Sequence, residues 1–299
     1  MQLSYGAVSA FLTATTAAGK RVESKSVKKT SVDTARPLIV CGMGRSGTRM
    51  CANILSNSLD VELQGEVGGP AGSKMVSWLE AAHDQSPAQD PHRVYRLARV
   101  TFREGSAGRP QDRPDARWFG YKSPRHERYF ERYEVLFSDP ERRAHYVYCL
   151  RNPFHVWRSY RAMPWNKFRD ARDFLQAWNR SVRTYETMAR SAPDRVSLFN
   201  LDSMIQAPDR LEWLTPTLLE PLGLSPDTFR KPVESLRNSN SAANKVGAEP
   251  AALPGADLAA IAADPEAAAS VRAHFPWLEE ELERHGARTG RRLFGLLRS

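Results

Sequence analysis

The sequence predicts an α/β fold in which a mostly parallel sheet is flanked by helices on both faces, within a single domain. Short apolar runs alternate with longer segments of helical periodicity, a pattern typical of βαβ units. The first run, "PLIVCG" at residues 37–42, breaks into a glycine-rich stretch before the chain turns amphipathic. A glycine-rich turn between a buried strand and a helix is typical both of P-loop-like folds and of dinucleotide-binding folds.

The elements of the first half follow from periodicity and turn residues. The fold is expected to begin at Pro37, and a helix is expected from Thr48 to Leu59 with Ile54 on its inner face. The next expected elements are a short strand at 60–64, helices at 73–82 and 93–102, a Gly/Pro-rich surface loop at 103–115, a strand at 117–122 and a helix at 123–137.

The second half is expected to add two strands and several helices. These are a strand at 144–150, a helix at 152–160, a long amphipathic helix at 169–190, a strand at 195–201, and further helices around a polar loop at 237–247. The segment "RRLFGLLRS" at 291–299 is interpreted as a basic amphipathic helix that docks on the body rather than on a membrane.

Composition indicates a globular protein with an anionic partner. Hydrophobic residues make up 41% and charged residues 26%, which is ordinary for a soluble domain. The net charge of +9 favours an anion, but the arginines are spread from Arg36 to Arg298 rather than packed in one tract. This spread argues against nucleic acid and leaves a charged nucleotide, another polyanion or simple solubility as explanations.

Residues 1–36 lack clear periodicity and are rich in Ser, Thr, Ala and Lys. A disordered tail is expected there, with an organellar targeting segment as the alternative, and residues 37–299 are expected to form the domain. The apolar stretch "AVSAFL" is too short to cross a membrane and has no basic stretch before it, so neither a transmembrane segment nor a secretory signal is expected.

Three cysteines, Cys41, Cys51 and Cys149, lie inside apolar strand or helix patterns. Their number is odd and their spacing matches no metal site, so we expect three buried thiols in a reducing compartment. The protein is accordingly predicted to be cytoplasmic.

The glycine-rich stretch fits two templates. Gly42, Gly44 and Gly47 spell the dinucleotide fingerprint G-x-G-x-x-G, with Glu66 as an acid at a suitable distance. The same letters spell G-x-x-x-x-G-T, a phosphate-binding loop with Thr48 in place of the usual lysine. In both, glycines let the backbone turn sharply so that free N–H groups of the next helix face an anion.

Polar side chains follow four of the expected strands, and the carboxyl ends of parallel strands share one edge of a sheet. The residues are Arg45 and Ser46 after the first strand, Glu66 after the second, Lys122 after the third, and Arg151, with Ser159 eight residues later, after the fourth. This set suits a substrate with phosphate groups at two separated points and one acid–base group.

Four motifs resemble those of sulfotransferases that use 3′-phosphoadenosine-5′-phosphosulfate (PAPS). "CGMGRSGTRM" resembles their 5′-phosphosulfate loop, and "YVYCLRNPFHVWRSY" resembles their 3′-phosphate motif. "LQGEV" and "GYKSPRH" are similar to a Gly-Glu pair and a lysine-proline motif of the bacterial and protein-tyrosine branches. The resemblance spans roughly residues 37–240.

The resemblance implies a role for each matching residue. Residues placed around the 5′-phosphosulfate are Arg45, Ser46, Gly47, Thr48 and Arg49. Arg151 and Ser159 would bind the 3′-phosphate, Glu66 would act as the catalytic base, and Lys122 would steady the bridging oxygen together with Arg45. A late-loop contact to the 3′-phosphate is expected from Asn238, Ser239 or Lys245. The implied acceptor is a hydroxyl or amine of a sugar, peptide or small molecule, and no metal is required.

Other functions are compatible with parts of the pattern. A nucleotide kinase would need an acid for Mg²⁺, for which Asp202 is the candidate. A dinucleotide-binding oxidoreductase would use Glu66 but leaves Lys122 and Arg151 unexplained. A non-catalytic polyanion-binding domain would need only the basic surface. For catalysis, His126 and His155 are alternative bases, and the segments 103–117 and 161–168 are expected to border the acceptor cleft.

Overall fold

The computed structural model describes residues 34–67, 69–85, 90, 92–106, 110–236 and 250–286. Within these residues five strands form one sheet in the order β2-β3-β1-β4-β5, and every pairing is parallel. The strands are β1 Arg36–Gly42, β2 Val61–Gln64, β3 Trp118–Lys122, β4 His145–Leu150 and β5 Val196–Asn200. The predicted parallel α/β sheet is confirmed.

Helices cover both faces of the sheet. They are α1 Thr48–Leu55, α2 Gly69–Asp84, α3 Arg93–Gly105, α4 Phe130–Leu136, α5 Pro153–Arg161, α6 Ala171–Ser191, α7 Leu201–Gln206, α8 Arg210–Leu214, α9 Glu220–Leu222, α10 Gly255–Ala263 and α11 Pro265–His274. Helices α1 and α7–α9 pack on one face, and α2–α6, α10 and α11 pack on the other.

The central strand β1 shows why the sheet is buried on both sides. Leu38 and Val40 belong to the core beneath α1, whereas Ile39 and Cys41 belong to the core beneath α6. Such a strand must be apolar at successive positions, which explains the uninterrupted run "LIVC". The described residues form one compact unit around this sheet.

Close strand approach explains one glycine outside the loop. A Cβ at Gly120 in β3 would overlap the backbone of Leu38 in β1. The glycine therefore lets β3, which carries the candidate Lys122, pair tightly with β1, which leads into the loop of the candidate Arg45.

Two predicted helices are corrected. The helix expected at 123–137 is a short 3₁₀ turn, His126–Tyr129, followed by α4, because Arg125 adopts a left-handed backbone with φ 64° directly after Pro124. The helix expected to reach Leu59 ends at Leu55, where the Ser56 hydroxyl donates to the Ala52 carbonyl. Periodicity, from which both helices were predicted, does not show where such turns interrupt it.

The three thiols are free and buried, as predicted. Burial raises the pKa of Cys41 and of Cys149 well above the usual thiol value, so neither is a reactive thiolate. The polar loop at 237–247, the segment 291–299 and the residues 1–33 lie outside the described residues. Among the described helices, none combines the length and the apolar content needed to cross a bilayer.

Candidate active site

The glycine-rich loop between β1 and α1 lies at the carboxyl edge of the sheet. Gly42 and Gly47 have φ angles of 125° and 96°, which favour glycine, and Arg45 between them is left-handed at φ 68°. A Cβ at Gly44 would overlap the hydroxyl of Tyr160 from α5. The loop is therefore held in one tight conformation, with α5 against its middle.

The start of α1 is suited to an anion. Its first turn contains no acidic residue, and its N-cap, Gly47, has no side chain to satisfy the first N–H groups. The hydroxyl of Ser46 is buried without a hydrogen-bond partner in the described structure. A buried donor without a partner is costly, so an acceptor from a ligand fits this position.

The two predicted phosphate motifs meet in the fold. Arg45 Nε donates a hydrogen bond of 2.8 Å to the Ser159 hydroxyl, across 114 residues of sequence. Ser159 lies in α5, which begins at Pro153 and is capped by Asn152, whose side chain accepts from the His155 N–H at 2.9 Å. Ser159, two turns into α5, consequently lies beside the loop.

Arg151 stands between the loop and the end of β5. Its Nε is 3.4 Å from Asp202 Oδ1, and its Nη1 is 3.5 Å from the Arg45 carbonyl oxygen. Burial, together with the charge of Arg151, lowers the pKa of Arg45. The like charges of Arg45 and Arg151 repel each other, and a polyvalent anion bound by both would relieve that repulsion.

Asp202 orients this corner of the site. Its carboxylate accepts from the backbone and side-chain N–H groups of Asn152 at 2.9 and 2.7 Å. Burial alone would raise its pKa, but the hydrogen bond from His155 and the charge of Arg151 outweigh burial, and the pKa of Asp202 is lowered. The carboxylate stays ionised and holds Arg151 and the start of α5 together.

Lys122 and Glu66 form an ion pair at the ends of β3 and β2. Lys122 is buried, whereas the Glu66 side chain is 44% exposed. Burial lowers the pKa of Lys122, Glu66 opposes that shift, and the charge of Arg49 adds to it. The charge of Glu66 also acts on Arg45, so the pair lies close to the glycine loop.

With this geometry in view, comparison with known proteins decides the family. A model described as "Sulfotransferase family" matches residues 37–210, more than half of the chain. The chain belongs to the sulfotransferase family. No curated protein sequence matches it.

Three solved sulfotransferase structures are similar to this family member. Sulfotransferase STF9 of Mycobacterium avium is 15% identical with a TM-score of 0.37, over 65% of this chain and 66% of that one, slightly under two thirds of its length. The sulfotransferase domain of the Synechococcus PCC 7002 olefin synthase is 14% identical with a TM-score of 0.44, over 80% and 96%. Sulfotransferase STF1 of Mycobacterium tuberculosis H37Rv is 16% identical with a TM-score of 0.41, over 69% and 73%.

The two histidines considered as alternative bases differ in environment. His126 is buried, with Nδ1 against the Tyr121 hydroxyl, and burial lowers its pKa to about 4. His155 is 48% exposed, and its Nδ1 lies 3.0 Å from Asp202 Oδ1, on the Arg151 side of the loop. Neither forms the ion pair with Lys122 that Glu66 forms.

Sequence reasoning missed several residues of the site. Asp202 was considered only as a Mg²⁺ ligand. Like Arg151, however, it follows a parallel strand at the carboxyl edge of the sheet, where polar residues of a site gather; we call this the strand-end rule. Asn152 before Pro153 is a recognisable helix cap. Arg125 and Glu127 carried no such signal, because their roles depend on a left-handed backbone and on tertiary contacts.

The late-loop candidates Asn238, Ser239 and Lys245 lie outside the described residues. Within the described part of the chain, no group of three or more His, Cys, Asp or Glu side chains is arranged to hold a metal ion.

Proposed function

We propose that the protein transfers the sulfuryl group of PAPS to a hydroxyl or amine of an acceptor. The observation that carries the proposal is the hydrogen bond from Arg45 to Ser159, which joins the 5′-phosphosulfate loop to the 3′-phosphate motif. Family membership supports the reaction class. The unpartnered Ser46 hydroxyl, and the contact of Arg151 with the loop that carries Arg45, support a donor with phosphates at two points.

The donor site has two parts in this proposal. Ser46, Gly47, Thr48 and the start of α1 bind the 5′-phosphosulfate through backbone N–H groups and hydroxyls, with Arg45 and Arg49 supplying positive charge. Arg151 and Ser159 bind the 3′-phosphate. Ser159 can go on accepting from Arg45 Nε while its own hydroxyl donates to the 3′-phosphate, so the contact joins the two parts of the donor site.

The transfer itself is an in-line displacement at sulfur. The acceptor oxygen forms a bond to sulfur while the bond from sulfur to the 5′-phosphate oxygen breaks, and the acceptor proton passes to Glu66. Lys122 and Arg45 stabilise the negative charge that develops on the departing phosphate. The ion pair with Lys122 suits Glu66 to this role, because it holds the partly exposed carboxylate next to the cation that stabilises the leaving oxygen.

The kinase and oxidoreductase alternatives would need residues or space that have other contacts in this fold. A Mg²⁺-dependent kinase would need Asp202, whose oxygens are already engaged by Asn152, His155 and Arg151. A dinucleotide oxidoreductase would need close approach of a pyrophosphate to the glycine turn, where Arg45 stands. Neither alternative uses the ion pair of Glu66 and Lys122.

In the proposal, a sugar, peptide or small molecule serves as the acceptor. The three free thiols suit a reducing compartment such as the cytoplasm.

The test combines turnover and binding. Purified protein is incubated with radiolabelled PAPS and a panel of sugars, peptides, phenols and amines, while calorimetry measures binding of adenosine 3′,5′-bisphosphate. We expect label transfer to at least one acceptor class and saturable binding of the bisphosphate. Absence of bisphosphate binding, together with measurable binding of NAD or ATP, would overturn the proposal.

A further inference from the structure

Glu127 is a buried carboxylate directly beneath the glycine loop. It lies in the 3₁₀ turn after β3, outside the residues assigned to the donor or to proton transfer, and is 3% exposed. A buried negative charge next to an anion-binding loop is unfavourable unless its oxygens are well hydrogen-bonded. Its partners therefore indicate what it does.

Both oxygens of Glu127 accept strong hydrogen bonds. Oε2 accepts from the backbone N–H of Gly42 at 3.0 Å, and Oε1 accepts from the Ser181 hydroxyl of α6 at 2.6 Å. Ser181 is in turn 2.9 Å from the hydroxyl of Tyr148 in β4. The Glu127 carboxylate thus connects Gly42, where β1 ends and the glycine loop begins, to α6 and β4.

The segment that carries Glu127 also binds the backbone carbonyl of Gly42. The N–H of Arg125 donates to the Gly42 carbonyl at 2.8 Å, and this contact depends on the left-handed backbone of Arg125. Gly42 has φ 125° and lacks room for a Cβ against Cys149. The direction in which the chain leaves β1 is therefore set by residues 125–127.

Lys122 belongs to the same stretch of chain. Ser123, the next residue, donates its N–H to the Val40 carbonyl at 2.9 Å, so the segment 122–127 contacts the end of β1 at three points. A shift of the glycine loop against this segment would change the distance between the donor and Lys122. In catalysis, misplacement by about 1 Å costs about 100-fold in rate.

We propose that Glu127 is a positioning residue for sulfuryl transfer, which holds Gly42 so that the glycine loop and Lys122 keep a fixed separation. The proposal rests on the proposed function, since it assigns Lys122 to the leaving oxygen. Burial raises the pKa of Glu127. The role that the geometry assigns is to accept a hydrogen bond from the Gly42 N–H, and a neutral acceptor oxygen can fill that role.

Three substitutions separate this role from a general role in stability. Glu127→Gln keeps an oxygen for the Gly42 N–H and can donate to Ser181 from its amide. Glu127→Asp keeps the carboxylate but is one methylene too short to reach Gly42. Glu127→Leu removes the acceptor. The matched control is Glu134→Leu, which removes a carboxylate of α4 that binds Arg195 and Tyr146, away from the loop.

Turnover is normalised to the number of sites that bind adenosine 3′,5′-bisphosphate, so that an unfolded fraction does not count. We expect Glu127→Gln to stay within about threefold of the wild-type kcat, and Glu127→Asp and Glu127→Leu to fall by about 10- to 100-fold. The acceptor KM is expected to stay within about twofold, and Glu134→Leu should keep a wild-type kcat for each binding site. Equal kcat values in all Glu127 variants, or a Gln variant as slow as the Leu variant, would overturn the proposal.

Hydrogen exchange supplies a readout that does not depend on turnover. The amide of Gly42 should exchange slowly in the wild type and in Glu127→Gln, and at least about tenfold faster in Glu127→Asp and Glu127→Leu. Unchanged protection of the Gly42 amide in Glu127→Asp and Glu127→Leu would contradict the proposal that Glu127 holds Gly42, even if all variants were inactive. If the wild type transfers no sulfuryl group but the amide exchange rates follow this expectation, the proposed function fails. The inference that Glu127 fixes the position of Gly42 would still hold.

Discussion

At the scale of single residues, Glu66 carries the most specific chemical assignment. Glu66→Gln keeps the shape and hydrogen-bonding reach of the side chain but removes the base. General base catalysis contributes about 100- to 10,000-fold, so kcat should fall by at least about 100-fold. Affinity for adenosine 3′,5′-bisphosphate should stay within about threefold, because the proposed role of Glu66 is toward the acceptor and not the nucleotide. Initial-rate assays and calorimetry on the same preparation check both values.

The control for that experiment is Glu80→Gln. Glu80 also forms an ion pair, with Arg132, but does so on the surface between α2 and α4. Loss of an exposed pair costs only about 0–1 kcal/mol and should leave turnover unchanged. A fully active Glu66→Gln enzyme would mean that another group takes the acceptor proton.

Arg151 tests the second phosphate site. A charge-assisted hydrogen bond is worth about 1.5–3 kcal/mol, so Arg151→Ala should weaken bisphosphate binding by about 10- to 150-fold. Binding of adenosine 5′-monophosphate, which lacks the 3′-phosphate, should weaken by less than about threefold. Arg195→Ala, which removes an arginine paired with Glu134, is the control. Equal losses for the two nucleotides would place Arg151 away from the 3′-phosphate.

At the scale of elements, the close packing of the glycine loop against α5 yields a prediction for a pair of substitutions. Gly44→Ala places a methyl group on the Tyr160 hydroxyl, so that the loop and the tyrosine ring must move apart. We expect bisphosphate affinity to fall at least about tenfold. Tyr160→Phe removes that hydroxyl, so the double variant should regain part of the loss, with a coupling energy of about 0.5–3 kcal/mol. Calorimetry on the four proteins of the cycle measures it, and simple additivity would show that the overlap is relieved elsewhere.

The elements also show which parts of the fold the sequence could predict. Strands β1 and β4 are buried on both faces, so their apolar runs were unambiguous. The segment 123–137 has helical composition, yet Pro124 and the left-handed Arg125 interrupt it. That interruption produces the turn that carries Glu127. Backbone conformations of this kind arise from tertiary contacts, which no local pattern contains.

At the scale of the whole molecule, the sheet order explains how residues far apart in sequence form one site. The central strand β1 lies between β3 and β4, so its loop is flanked by Lys122 on one side and Arg151 on the other. The strand-end rule predicted this gathering from sequence. It could not predict the carboxylates behind the site, since the contacts of Glu127 with Gly42 and of Asp202 with Arg151 depend on distances that only the packed helices set.

The stability of the whole molecule should fall in mild acid because two histidines are buried in neutral form. Burial lowers the pKa of His126 from 6.5 to about 4 and that of His145 from 6.5 to about 3. Each histidine binds a proton more readily when the chain unfolds. Their stabilisation is therefore present above about pH 6.5 and is lost as the pH falls toward the folded values.

Between pH 7 and pH 5 each histidine should account for about 2 kcal/mol of lost unfolding free energy. Glu127 acts in the opposite sense, because its raised pKa favours the protonated folded state as the pH falls. The pH dependence of the unfolding free energy is therefore compared between wild type and a histidine variant, because Glu127 contributes equally to both. In His145→Gln, which loses the titrating ring that contacts Ser197, urea unfolding at the two pH values should show a change smaller by about 2 kcal/mol than in wild type. The same pH dependence in both proteins would mean that His145 is protonated in the folded state as readily as in the unfolded chain.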